Sequence, residues 1–285
     1  MRTVFLGSEA LANNEVTRGQ LRWKYRPLYP NVYTPRIAAP SLYANTVGAW
    51  LWSDRRALIT GRAASAMHGA RWVDEKSPVE LIWRNDRPPV GIITRNDHFL
   101  FDDTMEVDGM AVATPQRTAY DLGRYLPRDK AVMHLDALAR ATGLAAEHVA
   151  PLIERSKGAR GIRGLRAAIE LMDGGAQSPK ETELRLMLID AGYPRPKTQI
   201  PVTDEFGNEF AYLDMGWEDV MIALEYDGEQ HRTDQVQYRW DVKRLRKVHE
   251  RGWYHVKVIA GDRRGDVLQR VAQAWASRRD RNHGS

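Results

Sequence analysis

The sequence predicts an α/β chain: an α+β N-terminal module followed by a domain ordered helix, three strands, helix, strand. Three observations carry that expectation. At 285 residues the chain is long enough for two domains. Hydrophobic spacing switches repeatedly between a helical period and strict alternation. A glycine-rich seam, Met172-Asp173-Gly174-Gly175-Ala176-Gln177-Ser178-Pro179, ends one helical pattern and begins another. The expected segments are 1–45, 46–172 and 173–285.

In the first segment a short helix is expected around residues 16–23. The stretch 25–35, from Tyr25 and Arg26 to Pro35, alternates aromatic and basic residues like a β-hairpin or wing. Side chains such as Arg26 on such a ribbon either touch nucleic acid or close a small core, and both readings stay open. Residues 46–125 then mix helices at 44–52 and 61–68 with strands at 79–83, 91–94, 105–107 and 110–112. Asp108-Gly109 is a hairpin turn signal. Thr114 caps the next helix, with Pro115 at its first position. His68 reads as a helix-end residue. From 128 to 171 the apolar positions recur at helical spacing, with a glycine-and-arginine connector at 157–164 that is either a phosphate contact or a solvated turn.

Composition narrows the function classes. There is no cysteine, which removes disulfides, thiolate metal sites and cysteine nucleophiles. The apolar runs are too short to span a membrane, and the first residues do not resemble a signal peptide, so the expected location is cytoplasmic. The net charge of +5 and pI near 9.4 favour polyanionic partners. That charge is unevenly spread. Between Asp204 and His231 there are nine acidic residues and neither Lys nor Arg, whereas from Arg239 to Ser285 there are 13 Lys and Arg against five Asp and Glu.

The acidic stretch falls on two short apolar runs. Ser178-Pro179-Lys180-Glu181 has the capping-box pattern of a helix start, and its helix reaches about residue 192 with Leu184, Met187 and Leu188 inward. Glu181 shares that inward face, so it serves either as the cap or as a carboxylate aimed at the sheet. Strands are expected at 198–202, 210–217 and 220–227, with Glu218-Asp219 as a two-residue hairpin turn. That turn sets Asp214 opposite Ala223 and makes Asp214 and Glu225 diagonal neighbours on one face, with Asp227 beside them. Two unit charges about 5 Å apart cost roughly 3 kcal/mol at an effective dielectric near 20. A divalent cation held through oxygen, Mg²⁺ or Mn²⁺, relieves that cost and activates water for phosphate chemistry. A solvated acidic sheet edge is the plainer alternative.

After this pair, His231 is available as a base, a proton shuttle or a phosphate contact. A helix at 234–251 carries Arg239, Lys243, Arg244 and Lys247, cations suited to neighbouring phosphates. A strand at 253–259 and a helix at 267–275 complete the chain.

The joint pattern Ser178-Pro179-x-Glu181, Asp214, Glu225-x-Asp227-Gly228-x-x-His231, Asp241-x-x-Arg244 and Gly252-Trp253 resembles the PD-(D/E)XK nuclease superfamily. Within it, the chain is similar to the branch related to very-short-patch-repair (Vsr) endonucleases. The resemblance covers residues 177–275. It implies a restriction-endonuclease-like αβββαβ domain, with Asp214, Glu225 and Asp227 as metal ligands, Glu181 and His231 in support, and DNA as substrate. The pattern departs in one place: Asp227 stands where the superfamily has a lysine that orients the attacking water. Residues 1–150 resemble AbiEi-type antitoxin or regulator proteins through residues 28–33, 61–69 and 114–119, which implies a winged-helix-type DNA contact. Two functions follow as expectations: a Mg²⁺-dependent DNA endonuclease with an N-terminal recruiting or regulating module, or a non-enzymatic DNA-binding regulator on a degenerate nuclease fold. A further protein partner is compatible with either.

Overall fold

The structure is a computed structural model that describes residues 4–228 and 235–282, with the side chains of 235–242 and 280–282 outside the description. The architecture is mixed α/β, and the chain divides into two compact units, Met1–Gly174 and Gly175–Ser285. No helix among the described residues is long and apolar enough to cross a membrane.

Unit 1 begins with β1 (Phe5–Leu6), α1 (Gly7–Ala12), α2 (Arg18–Lys24), β2 (Tyr25–Tyr29) and β3 (Val32–Pro35). The three strands form an antiparallel sheet in the order β1-β3-β2. Thr17 starts α2 through a reciprocal cap: its hydroxyl accepts from Gln20 N at 3.1 Å, and Gln20 Oε1 accepts from Thr17 N at 2.8 Å. The hairpin expected from the alternating aromatics is present. Phe5 meets Tyr25 edge-on and stacks with Tyr33 in a small core there. Arg26 is half-buried on β2, opposite Thr34.

The rest of unit 1 contains α3 (Leu42–Trp52), β4 (Leu58–Thr60), α4 (Gly61–Met67), β5 (Val79–Ile82), β6 (Ile92–Arg95), β7 (Thr104–Val107) and β8 (Met110–Ala113). Four helices follow: α5 (Pro115–Tyr125), α6 (Arg128–Thr142), α7 (Ala146–Arg155) and α8 (Ile162–Leu171). The sheet order is β6-β5-β4-β8-β7. Its middle strand, β4, is three residues long and wholly buried, so it shows no alternation by which the sequence could announce it. His68 ends α4 as expected, with its Nε2 2.8 Å from Ala113 O.

Unit 2 runs α9 (Pro179–Asp190), β9 (Lys197–Thr203), β10 (Glu209–Trp217), β11 (Ile222–Asp227), α10 (Gln235–Glu250), β12 (Tyr254–Ile259) and α11 (Arg264–Asn282). Its sheet has the order β12-β11-β10-β9. The first three strands pair antiparallel; β11 and β12 pair parallel, which requires the long crossover that α10 supplies. Met215, Trp217, Ile222, Leu224, Val256 and Val258 pack with Leu184 and Leu188 of α9 and Val267 and Val271 of α11. Leu213, Ala223 and Ile200 pack with Val248 of α10 and with Trp253.

One expectation needs correction. The β10–β11 turn is not the two-residue pair Glu218-Asp219, because Trp217 pairs with Ile222 and residues 218–221 make the connection. Met221 takes the left-handed backbone there, with φ of 51°. Ala223 therefore lies opposite Gly216, not Asp214. The register moves by two residues, an even step, so the paired residues 215–217 and 222–224 keep their faces. Gly216 fits because a Cβ on it would lie 2.3 Å from Ile222 O.

Candidate functional site

The paired ladder ends at Met215–Leu224, so the two-residue register change places Asp214 and Glu225 at the next step of the two strands, just beyond the last pair. The ladder changes character at that step. Asp214 Oδ2 accepts the backbone N–H of Tyr226 at 2.9 Å, so a side chain occupies a place that a strand carbonyl takes elsewhere. On the other flank of β10, Gln199 has φ of 49°, between the Leu213–Ile200 and Met215–Thr198 pairs. Leu213 and Met215, two residues apart, pack into different clusters. Regular alternation would give them one face, so β10 is distorted at Asp214.

Glu225 is more deeply engaged. The Arg244 guanidinium from α10 holds it through two hydrogen bonds, Nη1 to Oε1 and Nη2 to Oε2, both 2.8 Å. His255 Nε2 on β12 stands 3.0 Å from Glu225 Oε2, close but off the axis of a formed hydrogen bond. Lys257, also on β12 and in register with Glu225, reaches Asp227 at 2.5 Å. Parallel pairing in register puts Glu225, His255 and Lys257 on one face of the sheet.

Glu181 approaches from α9. Ser178 caps that helix, its hydroxyl accepting from Glu181 N at 3.2 Å. The Glu181 carboxylate accepts from Ser178 Oγ at 2.9 Å and from Gln177 N at 2.8 Å. The capping role and the inward role coincide: the side chain is buried, its oxygens are turned to the helix start, and its charge still acts on Asp214.

The Asp214 and Glu225 carboxyls are driven in opposite directions. Burial raises the Asp214 pKa most, the Glu181 charge next, and the Glu225 charge adds to them. The Tyr226 N–H and Arg244 oppose, and the result is about 7. Burial also pushes Glu225 up, but His255 and the Arg244 fork outweigh it and hold the group at about 2. Glu225 and Asp227 are therefore neutralised by cations from α10 and β12, outside the acidic stretch, whereas Asp214 keeps its raised pKa. Among the described residues no three His, Asp or Glu side chains are disposed as a ready cage for a metal ion.

Of the remaining expected residues, His231 lies outside the described residues, as does the side chain of Arg239. Lys247 lies over the Phe210 ring, 5.7 Å from its centroid. Lys243 is exposed on α10, next in sequence to Arg244. Sequence reasoning overlooked His255 and Lys257. Their spacing of two in a strand that follows Gly252-Trp253 was the available signal, because a strand parallel to β11 turns alternate residues toward Glu225 and Asp227.

No protein-family model matches the chain, and no solved structure matches it. It is similar to two uncharacterized proteins of Mycobacterium tuberculosis, one from strain CDC 1551 / Oshkosh and one from strain ATCC 25618 / H37Rv. Each is 32% identical over 170 residues, or 59% of this chain and 62% of the relative. The chain thus matches less than two thirds of the length of these relatives.

Proposed function

We propose that unit 2 is a metal-dependent phosphodiesterase acting on DNA, built on the restriction-endonuclease-like αβββαβ plan of the Vsr-like branch of PD-(D/E)XK nucleases. The observation that carries this reading is the neighbouring pair Asp214 and Glu225, half-buried where the β10 ladder is distorted and with Glu181 close enough to act on Asp214. The order helix, three antiparallel strands, helix, parallel strand supports it as well.

The donors suit a hard divalent cation, Mg²⁺ or Mn²⁺, because they are carboxylate oxygens and Asp214 is ill at ease as a bare anion. Asp214 and Glu225 would hold it, with Asp227 and Glu181 outside them. When bound, it would lower the pKa of a water and stabilise the charge on the phosphorus oxygens. The Arg244 fork must release a Glu225 oxygen for that to happen, which frees the guanidinium for a flanking phosphate. Lys257 takes the place of the lysine that Asp227 displaces from β11: it holds a donor-rich ammonium beside Asp227, where it can orient the attacking water. The basic face of α10, with Lys243, and the hairpin with Arg26 would add phosphate contacts, and unit 1 would act as an AbiEi-like module that recruits or regulates. His231 would handle a proton.

A second reading has its own support. Because Arg244 and Lys257 already neutralise Glu225 and Asp227, the site is complete as an ion-paired scaffold, which is what a non-enzymatic DNA-binding regulator would keep. Incubating the protein with supercoiled plasmid and with single-stranded DNA in Mg²⁺, Mn²⁺ or EDTA, beside Glu225→Ala, separates the two. Metal-dependent nicking absent from the variant supports the nuclease. Salt-sensitive gel-shift binding with no cleavage in any metal supports the regulator.

A further inference from the structure

We propose that unit 1 carries a second site, a pocket for the oxyanion head of a small organic ligand, between α5, α7 and the segment leading into β7. A cavity of about 380 Å³ lies there, within the size range of small-molecule sites. Three arginines line it: Arg117 and Arg124 from α5 and Arg155 from α7. They share its walls with two carboxylates, Asp97 and Asp103.

The key group is Arg117, whose side chain is 3% exposed. Its Nε donates to Asp121 at 3.0 Å, and its Nη1 donates to His98 O at 2.9 Å and to Asp103 at 3.2 Å. Its Nη2 is buried and has no hydrogen-bond partner; Asp97 Oδ2 is 3.9 Å away. A buried guanidinium N–H left unsatisfied is costly, and such groups in native folds have a reason. An oxyanion that enters the cavity and shifts the side chains around this atom, Asp97 among them, supplies one. The carboxylates already present are committed elsewhere: Asp97 to Arg124 and to Tyr125 Oη, and Asp103 to Arg155 and the Leu100 N–H.

The other walls favour an organic body over water alone. Leu100, Leu152 and Tyr120 line the cavity, and the Tyr120 ring lies 5.4 Å from the Arg117 guanidinium carbon and 4.9 Å from that of Arg124. The 157–164 connector has a definite part in this. Arg160 O accepts from Arg124 Nε at 2.9 Å, and Gly161, with φ of 84°, lets the chain pass where a Cβ would be 2.4 Å from Arg124 O. The connector thereby fixes the direction of the Arg124 fork, and Ala159 forms part of the cavity wall.

Isothermal titration calorimetry of the full chain with inorganic phosphate, adenosine monophosphate and benzoate tests the pocket, independently of any activity in unit 2. Saturable binding of adenosine monophosphate or benzoate, tighter than inorganic phosphate, is expected. Ala159→Trp, which fills the cavity without replacing a member of an ion pair, should weaken it at least tenfold, and Arg155→Gln should do the same. The proposal is overturned by an absence of saturable heat with all three probes, by binding that Ala159→Trp leaves unchanged in a folded variant, or by phosphate alone binding as tightly as the organic anions.

Discussion

Asp214 and Glu225 lie on adjacent strands just beyond the Met215–Leu224 pair, and the fold drives their carboxyls apart, one to about 7 and the other to about 2. The difference lies in their partners. Glu225 receives an arginine fork and a histidine, whereas Asp214 receives one backbone N–H and the repulsion of Glu181. A pair of carboxyls so separated divides into a proton holder and a permanent anion, the arrangement from which acid–base roles are assigned. The same separation governs how this site contributes to stability.

The first prediction concerns pH. Asp214 titrates near 3.8 when unfolded and near 7 when folded, so between those values the folded chain holds a proton the unfolded chain has lost. Its contribution is greatest below 3.8 and declines as pH rises through about 7. Glu225 runs the other way: its contribution is full above 4.5 and is lost as pH falls toward about 2. Asp214→Asn removes the first penalty. It should stabilise the chain at pH 8 by about 1–3 kcal/mol, a discounted conversion of the shift, and by almost nothing near pH 4. Denaturant melts at the two pH values measure this, and equal effects at both would refute the assignment of the raised group.

A second prediction isolates the fork. Arg244→Met leaves Glu225 as a half-buried carboxylate without its guanidinium partner, and removing one partner of such a pair is more damaging than replacing both. Arg244 is partly exposed, so the loss should be about 1–3 kcal/mol at pH 7. Adding Glu225→Gln should recover most of it, because no charge then stays behind. A double-mutant cycle in urea reads the coupling, and additive losses would show that the fork contributes nothing specific.

The third prediction separates the nuclease from the regulator. Lys257→Met should leave the fold intact, since both Lys257 and Asp227 reach solvent, and should lower the cleavage rate by about 10²-fold or more. Metal affinity, followed by Mn²⁺ titration, should change far less than it does in Asp214→Asn. Cleavage at the parental rate in a folded Lys257→Met chain would remove Lys257 from the chemistry.

Much of unit 2 was legible in the sequence because its signals are local. Ser178 and Pro179 mark the start of α9, and Leu213-Asp214 and Leu224-Glu225 carry acidic residues within apolar strands. What escaped was set by pairing at a distance. The neutralising cations on α10 and β12 are far from Glu225 in the chain, and only the parallel β11–β12 register brings His255 and Lys257 to it. The turn was misplaced because Met221, an ordinary apolar residue, adopts a left-handed backbone that its identity does not announce. In unit 1 the unsatisfied Arg117 Nη2 is likewise a property of packing, invisible in a helix sequence that reads as a plain capped start.

The last prediction tests the corrected register itself. Gly216 is the one residue of β10 whose missing side chain lets β11 come this close: a Cβ would lie 2.3 Å from Ile222 O and 3.0 Å from the Ala223 Cα. Both neighbours are backbone, and neither can move without opening the pairs Trp217–Ile222 and Met215–Leu224 that set Asp214 against Glu225. Gly216→Ala should therefore cost about 2–3 kcal/mol by overpacking, despite the ordinary preference of a strand for Ala over Gly. It should also disturb the site at a distance, lowering the Asp214 pKa as the ladder loosens and water enters. Had the turn been Glu218-Asp219 with Gly216 facing Met221, the same substitution would meet a different neighbour. A Gly216→Ala chain with parental stability and parental pH dependence would exclude the observed register, and with it the placing of the two carboxyls side by side beyond the Met215–Leu224 pair.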